Sequence, residues 1–409
     1  MIAQPHPLIE VFSDIADFRK SRGKRHPLSA LLALSCCAML CGYRSYSAIA
    51  AWGRNYGTDI AQALGFTHNT PCASTLHTIF RCLDREAFEA KLGAWAERVV
   101  VTAPAAPEAP EIAMAVDGKT LRGSKKQGAP GMPLLSVLAH RVGLTLTHQA
   151  VAAKTNEIKA VETVFGQIVL TGRIVTMDAL LTQRQVAQTI VEAGGDSVMI
   201  VKEHQPQLKA DIALVFTLPP VGDRQERTRT VDVGHGRIET RHLTTSEALV
   251  GYSDWPGLAQ VFEVGRHVIT KKTAKERVEV VYGVTSLSPE RATPNRLLEL
   301  VRGHWGIENK SHWVRDVTFD EDRSQVRCGN IPHIIPTVCL VVTSAVVYTY
   351  GCDDGRISPT RCAVIDAVLG GRCSSRLVCS RPPAAAGLTR SGFAAGSRPA
   401  WTAGLDGFH

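Results

Sequence analysis

Apolar residues recur at helical spacing through the first hundred residues, as in the runs 28–39 and 60–64. The pattern predicts a helical domain over residues 1–101. Within it, residues 70–77 (TPCASTLH) begin a helix with a proline near its start. That helix has two open interpretations, a recognition helix that would make the domain DNA-binding or one member of a plain helical bundle.

A short stretch rich in proline and alanine, TAPAAPEAP at residues 102–110, predicts a linker. After it, short apolar runs with strand-like spacing alternate with helical ones. We predict strands at 112–116, 134–139, 144–152, 172–177 and 197–201, and a helix at 182–193. This order predicts a mixed α/β domain with a sheet and flanking helices.

Alternating short strand patterns fill residues 203–290, and we interpret them as a β-rich insertion. A helical pattern resumes at Pro294 and continues through Asn309. Its positions 301, 304, 305, 308, 312 and 315 would share one face of a regular helix, with Trp305 in the core. The α/β domain, with its insertion, is thus predicted to span 111–330.

The last part of the chain, residues 331–409, differs in composition from the rest. It contains no Lys and no Glu, and it holds five of the eleven cysteines. We hypothesise that a frameshift in the gene replaced the original C-terminus. The alternative is a low-complexity tail.

Charge and cysteine content narrow the class of protein. The formal net charge is +8, with 46 Lys and Arg against 38 Asp and Glu, which fits a polyanionic partner. No pair of cysteines has CxxC spacing, so we expect no zinc site and a reducing cytoplasm. The apolar runs at 26–42 and 334–350 are short for membrane spans, and we expect no membrane association.

Residues 116–124 read VDGKTLRGS, and their GKT resembles the end of a phosphate-binding loop. A P-loop would need a glycine at position 113, which is Ala113 in an apolar run. We therefore interpret Asp117 as a carboxylate at a strand end, with Gly118 turning the chain. A solvated Asp-Gly turn is the open alternative.

A second apolar strand ends at Asp178, and Glu308 lies on the late helix. Two acids at neighbouring strand ends, joined by a third carboxylate, could hold two divalent metals about 4 Å apart. Oxygen ligands of this kind favour Mg²⁺ or Mn²⁺.

Several long motifs extend this constellation. The chain resembles the DDE transposases of the ISAs group of bacterial insertion sequences in four motifs. They are VDGKTLRGS at 116–124, KTNEI at 154–158, the run from TMDALL to KEHQP at 176–206, and RGHWGIENKSHWVRDVTFDEDRSQVRCGN at 302–330. The resemblance implies an RNase H-like catalytic domain with a β insertion before the last acid. It implies Asp117, Asp178 and Glu308 as catalytic, metal-binding residues for two Mg²⁺ or Mn²⁺ ions.

The resemblance also implies the reaction and its partners. Such an enzyme binds the terminal repeats of its element, nicks DNA there and joins the freed 3′-hydroxyls to target DNA. The expected DNA-binding residues are Lys119, Arg122, Lys202, His304 and Arg315. We further expect a homodimer on DNA in the bacterial cytoplasm, near the nucleoid.

Two other functions fit the same residues. An RNase H-like nuclease would cut without strand transfer. A catalytically impaired remnant would bind element ends without metal-dependent nicking.

Overall fold

The structure, a computed structural model, describes residues 7–55, 57–103, 111–121, 132–150, 157–234, 236–313 and 315–316, with Thr337, Val338 and Val368. Most of the predicted linker, most of the segment after residue 316, where a frameshift was hypothesised, and Arg122 lie outside the described residues. Within the described part, no helix is long and apolar enough to cross a membrane.

Six α-helices occupy the described N-terminal part, and their apolar sides share one core with one face of the sheet. They are α1 (Leu8–Ser13), α2 (Leu28–Leu40), α3 (Tyr46–Asn55), α4 (Gly57–Ala63), α5 (Ala73–Cys82) and α6 (Arg85–Thr102). Helix α2 has no charged residue and is buried along most of its length, including Cys36 and Cys37. Helix α6 begins at Asp84, whose side chain accepts a hydrogen bond from the Ala87 amide at 3.1 Å.

Nine strands form one sheet in the order β3-β2-β1-β4-β5-β9-β8-β7-β6. They are β1 (Ile112–Leu121), β2 (Met132–Ala139), β3 (Leu144–Ala150), β4 (Arg173–Met177), β5 (Asp196–Val201), β6 (Glu226–Gly234), β7 (Arg237–Ser246), β8 (Gln260–Thr270) and β9 (Glu276–Thr285). Strands β1, β2 and β3 pair antiparallel, whereas β4 and β5 run parallel to β1. Helices α7 (Glu157–Phe165), α8 (Arg184–Glu192) and α9 (Pro206–Thr217) connect the strands.

The β-rich segment continues the same sheet. Strand β9 pairs antiparallel with β5, in a ladder that includes Val198 and Thr285, and β8, β7 and β6 follow outward. The expected fold class, a mixed α/β sheet with flanking helices and a β-rich segment, is confirmed.

One detail of the prediction for β1 is wrong. We expected the strand to end at Asp117 and the chain to turn at Gly118. The strand instead runs on to Leu121, because its antiparallel partner β2 continues the ladder from Asp117–Ser136 to Leu121–Met132.

The late helix also differs from the expected continuous one. Helix α10 spans Pro294–His304, and a π-helical segment then spans Ile307–His312. The wider π turn shifts the later side chains around the axis, so they do not follow the regular helical spacing that we assumed. The core position expected for Trp305 is wrong as well, since 53% of this residue is exposed.

Candidate active site

The parallel ladder between β1 and β4 ends at the pair Val116 and Met177. Asp117 and Asp178 are the next residue on each strand, so both leave the ladder at the same edge. Asp117 is held rigidly because it still pairs with Ser136 of β2. Asp178 begins a short 3-10 turn, Ala179–Leu181. The sheet therefore brings together two acids that are 61 residues apart in the chain.

Glu308 reaches the same place from the π-helical segment, which lies against β1 and β2. Burial raises the pKa of Glu308, the charge of Asp178 raises it further, and the Lys202 ammonium opposes the rise. Segments of π-helix are frequent at functional sites. Glu308 is therefore close enough to Asp178 for the Asp178 charge to affect its ionisation.

Asp117 is the most strongly perturbed of the three acids. Burial raises its pKa from an ordinary 3.8 to about 6, against a hydrogen bond from the Gly118 amide that lowers it. The charges of Glu308 and Asp178 add to the rise. A carboxyl that is costly to ionise among other acids is typical of a catalytic site or a cation site.

His312 lies beside Asp117, with 3.5 Å between its Nδ1 and the Asp117 Oδ2. Burial lowers the pKa of His312 to about 3, and the charges of Arg315, Lys119 and His304 lower it as well. The ring is thus neutral near pH 7, and the contact is too long for a good hydrogen bond. His312 does not compensate the charge of Asp117.

Two lysines expected to bind DNA lie at the site in different ways. The Lys202 ammonium is 3.4 Å from the Asp178 Oδ1 and is half-exposed. Lys119 is nearly buried, and its ammonium pairs with Asp316 and lies 3.4 Å from the His312 carbonyl oxygen. Lys202 is therefore available to an incoming phosphate, whereas Lys119 ties β1 to the segment after the π-helix.

Two of the other residues expected to bind DNA, Arg315 and His304, lie inside the protein. Arg315 is fully buried, and Arg122 lies outside the described residues. His304 is largely inside, where its Nδ1 is 3.1 Å from the Thr176 hydroxyl. Burial lowers the pKa of His304, and the Asp178 charge partly opposes this. DNA contacts by these three residues stay predictions.

Thr176 and His140 are site residues that the sequence analysis missed. The Thr176 hydroxyl contacts His304 and the Nε2 of His140, 3.0 Å away. His140 follows the last residue of β2, and nothing in the local pattern marks it. His140 reaches Thr176 of β4 across the intervening strand β1, which only the folded sheet shows.

The donor chemistry of the three acids fits divalent ions. Among the described residues, no three His, Cys, Asp or Glu side chains are gathered tightly enough to hold one ion. Mg²⁺, however, usually keeps several waters and binds through one or two carboxylates plus substrate phosphates. Burial raises the pKa of Asp117 most, and the charges of Glu308 and Asp178 raise it further; a bound cation would favour the charged carboxylate against both causes.

Two family models match the chain. One, described as "DDE_Tnp_1-associated", matches residues 9–96, and the other, described as "Transposase DDE domain", matches residues 108–331. Together they cover both the N-terminal helices and the sheet with its acidic site.

Individual proteins are similar over most of their length. The "Uncharacterized protein in dhlA 3'region" of Xanthobacter autotrophicus is 32% identical, over 63% of this chain and 86% of that protein. The "Putative transposase YncI" of Escherichia coli O157:H7 is 28% identical, over 80% of this chain and 84% of its own. Among solved structures, a piggyBac transposase synaptic complex with hairpin DNA has 11% identity and a TM-score of 0.43, covering 90% of this chain and 76% of that one.

Proposed function

This chain belongs to the Transposase DDE domain family, and on that basis we propose that it is the transposase of a bacterial insertion sequence. It binds the terminal repeats of its element, nicks the DNA there and joins the freed 3′-hydroxyls to target DNA. Asp117, Asp178 and Glu308 are its catalytic residues and hold the metal ions.

One observation carries the assignment of these residues. Three acids from distant parts of the chain meet at one edge of the sheet, and each is perturbed by, or perturbs, another. Holding carboxylates close together, one of them largely removed from water, costs stability, and such groups cluster at functional sites. Binding of divalent cations next to a phosphodiester is a use that matches the family.

The proposed nicking step is hydrolysis of a phosphodiester, which needs no oxidant or reductant. The oxygen of a water molecule forms a bond to the phosphorus, and the bond from phosphorus to the 3′ oxygen breaks. The products are a 3′-hydroxyl and a 5′-phosphate. In the joining step, the oxygen of that 3′-hydroxyl forms a bond to the phosphorus of a target phosphodiester and gives up its proton. The target's own bond from phosphorus to its 3′ oxygen breaks, and that oxygen takes a proton and leaves as a target 3′-hydroxyl. Two bound Mg²⁺ or Mn²⁺ ions would supply activation of the nucleophile and stabilisation of the leaving oxygen.

The chain's own side chains prepare the site for the polyanion. Lys202 neutralises part of the Asp178 charge in the DNA-free protein and can turn to a phosphate when DNA arrives. Asp117 is fixed by its place in the β1–β2 ladder, so little reorganisation is needed on binding. Arg122, Lys119, His304 and Arg315 complete the proposed set of DNA contacts.

The proposal has two further parts. The helices before residue 102 form a separate domain that holds the element ends, and α5 is its candidate for a recognition helix. Two ends must be held together during transposition, so the protein acts as a homodimer on DNA in the bacterial cytoplasm.

The test is nicking of a labelled duplex that carries the element's own end, in Mg²⁺. Asp117→Ala and Glu308→Ala should each abolish the nick, because each removes a proposed metal ligand. Glu279→Ala, which removes an exposed carboxylate far along β9, should nick like the unaltered protein. Equal nicking by Asp117→Ala would overturn the assignment.

A target plasmid added to the same reaction separates the alternatives. Joined products support a transposase, whereas nicking without joining indicates a nuclease that does not transfer strands. Specific binding of the end without any nick indicates a catalytically impaired remnant.

A further inference from the structure

A single hydroxyl, that of Thr176, lies behind the acidic site and contacts three other parts of the chain. It donates to the Met114 carbonyl oxygen of β1 at 3.2 Å. It also lies 3.0 Å from the His140 Nε2 and 3.1 Å from the His304 Nδ1. The hydroxyl therefore joins β1, β4, the residue after β2 and the end of α10.

These contacts are mutually consistent in only one hydrogen-bonding arrangement. A threonine hydroxyl has one proton to donate and two lone pairs to accept with. Its proton goes to Met114, so both rings must donate to its oxygen. His140 then carries its proton on Nε2, and His304 carries its proton on Nδ1.

The cluster lies next to every proposed catalytic acid along the chain. Met114 precedes Asp117 by three residues and Thr176 precedes Asp178 by two. His304, in turn, precedes Glu308 by four residues. Through one hydroxyl, the backbone segments that carry all three acids are tied to one another.

Gly303 provides independent evidence that the fold requires the His140 ring to pack closely against α10. A Cβ atom on Gly303 would collide with the His140 ring, at its Nδ1. Gly303 lies near the end of α10, and glycine is less favourable than alanine in a helix. The glycine thus makes room for the ring that binds Thr176.

We infer that His140, Thr176 and His304 are positioning residues that set the spacing of the proposed catalytic acids, with Gly303 admitting His140 to the cluster. The inference rests on the proposed function, because it assigns a role relative to those acids. It gives His304 a task inside the protein that does not require contact with DNA.

The first test compares Thr176→Val with Thr176→Ser, and its readout is Mn²⁺ binding to the free protein, followed by electron paramagnetic resonance. The valine variant keeps the shape of the side chain but removes the hydroxyl, so Mn²⁺ affinity should fall roughly tenfold or more. The serine variant keeps the hydroxyl and should restore most of the affinity. Unchanged affinity in a folded Thr176→Val protein would overturn the inference.

A double-mutant cycle tests the role of Gly303. Gly303→Ala should weaken Mn²⁺ binding in the unaltered protein, since the new methyl displaces His140. In a His140→Ala background the same substitution should have no further effect, because the space is then empty. Independent, additive losses in the two variants would contradict the proposed cluster.

A third measurement separates this inference from the proposed function. Nitrogen-15 NMR of the histidine rings reports their tautomers whether or not the protein binds metal or nicks DNA. His140 should be protonated on Nε2 and His304 on Nδ1, with signals assigned through His140→Ala and His304→Ala.

If His304 carries its proton on Nε2, the proposed hydrogen bonds of the cluster are wrong even in an active enzyme. If the tautomers are as expected but the unaltered protein neither binds Mn²⁺ nor nicks DNA, the proposed function fails and the cluster loses its role at the acids.

Discussion

Two carboxylates on the same nine-stranded sheet, those of Glu239 and Asp117, are largely removed from water, but the charges around them differ. Glu239 of β7 is only 4% exposed, and it pairs with Arg241 at 2.6 Å and with Arg266. Asp117 of β1 is also largely buried, but the side chain beside it is the neutral His312. One carboxylate is neutralised by arginines, whereas the other shares its surroundings with two more acids.

The neighbouring charges decide whether a carboxylate that is removed from water stabilises the fold or costs it stability. Around Glu239, the arginines recover the cost of removing a charge from water. Around Asp117 that cost is left in place, and it is visible as a pKa raised to about 6. We infer that the compensating charge at Asp117 comes from outside the chain, as a divalent cation.

Substitution of Asp117 and Glu239 should differ most in its effect on catalysis. Asp117→Asn should reduce the nicking rate by about a thousandfold, because it removes a group that helps to stabilise the transition state. Glu239→Gln should leave the rate per folded molecule unchanged. The measurement is single-turnover nicking of the element end, normalised to the folded fraction. Similar losses in the two variants would mean that Asp117 acts only through stability.

The next effect reverses the order of the two variants. Glu239→Gln should lower the free energy of unfolding by about 3 kcal/mol, because Arg241 and Arg266 each lose a charge-assisted contact with a buried carboxylate. Glu279→Gln, at an exposed residue that lies 3.8 Å from Arg266, should cost less than about 1 kcal/mol. Urea unfolding at pH 7.5 measures both. A Glu239→Gln protein as stable as the Glu279→Gln control would show that the cluster on β7 is not needed.

A smaller effect should appear in the pH dependence of stability. Because the folded pKa of Asp117 is raised from 3.8 to about 6, its protonation stabilises the fold. That contribution is fully present below about pH 4 and is lost as pH rises through 6, and it amounts to at most about 3 kcal/mol.

Metal-free urea unfolding of the unaltered protein and Asp117→Asn measures this contribution. The unaltered protein should gain stability relative to Asp117→Asn as pH falls from 7.5 to 4. Other titrating groups are common to both proteins, so they largely cancel in the difference. A difference that does not change with pH would show that the Asp117 carboxyl is not perturbed.

The smallest effect concerns Lys202, the cation beside Asp178. Lys202→Gln should weaken binding of the end duplex severalfold and lower the slope of log affinity against log salt by about one. Lys209→Gln, which changes an exposed lysine paired with Glu203, is the matched control. Equal slopes for Lys202→Gln and the unaltered protein would exclude a phosphate contact by Lys202.

Local patterns in the sequence predicted the elements that carry the site. The apolar runs before Asp117 and Asp178 identified β1 and β4, because buried parallel strands read as continuous hydrophobic stretches. The strand pattern of residues 203–290 was also sufficient to predict a β-rich segment. The pattern could not show that β9 pairs with β5, since pairing partners depend on tertiary contacts.

Other features of the site were beyond local reasoning. Thr176 and His304 are 128 residues apart, and neither has a pattern that marks the other. The π-helical segment broke the regular spacing from which we placed Trp305 in the core. The domain boundaries and the roles of the site residues stay predictions that need the experiments above.

The most direct test of an external compensating charge is thermal unfolding at pH 7.5 with increasing Mn²⁺. A ligand that binds only the folded state raises the unfolding midpoint. The account predicts that Mn²⁺ raises the midpoint of the unaltered protein and of Glu239→Gln, but not that of Asp117→Asn. An equal rise in Asp117→Asn would contradict the account, because the ion would then bind somewhere other than the acidic site.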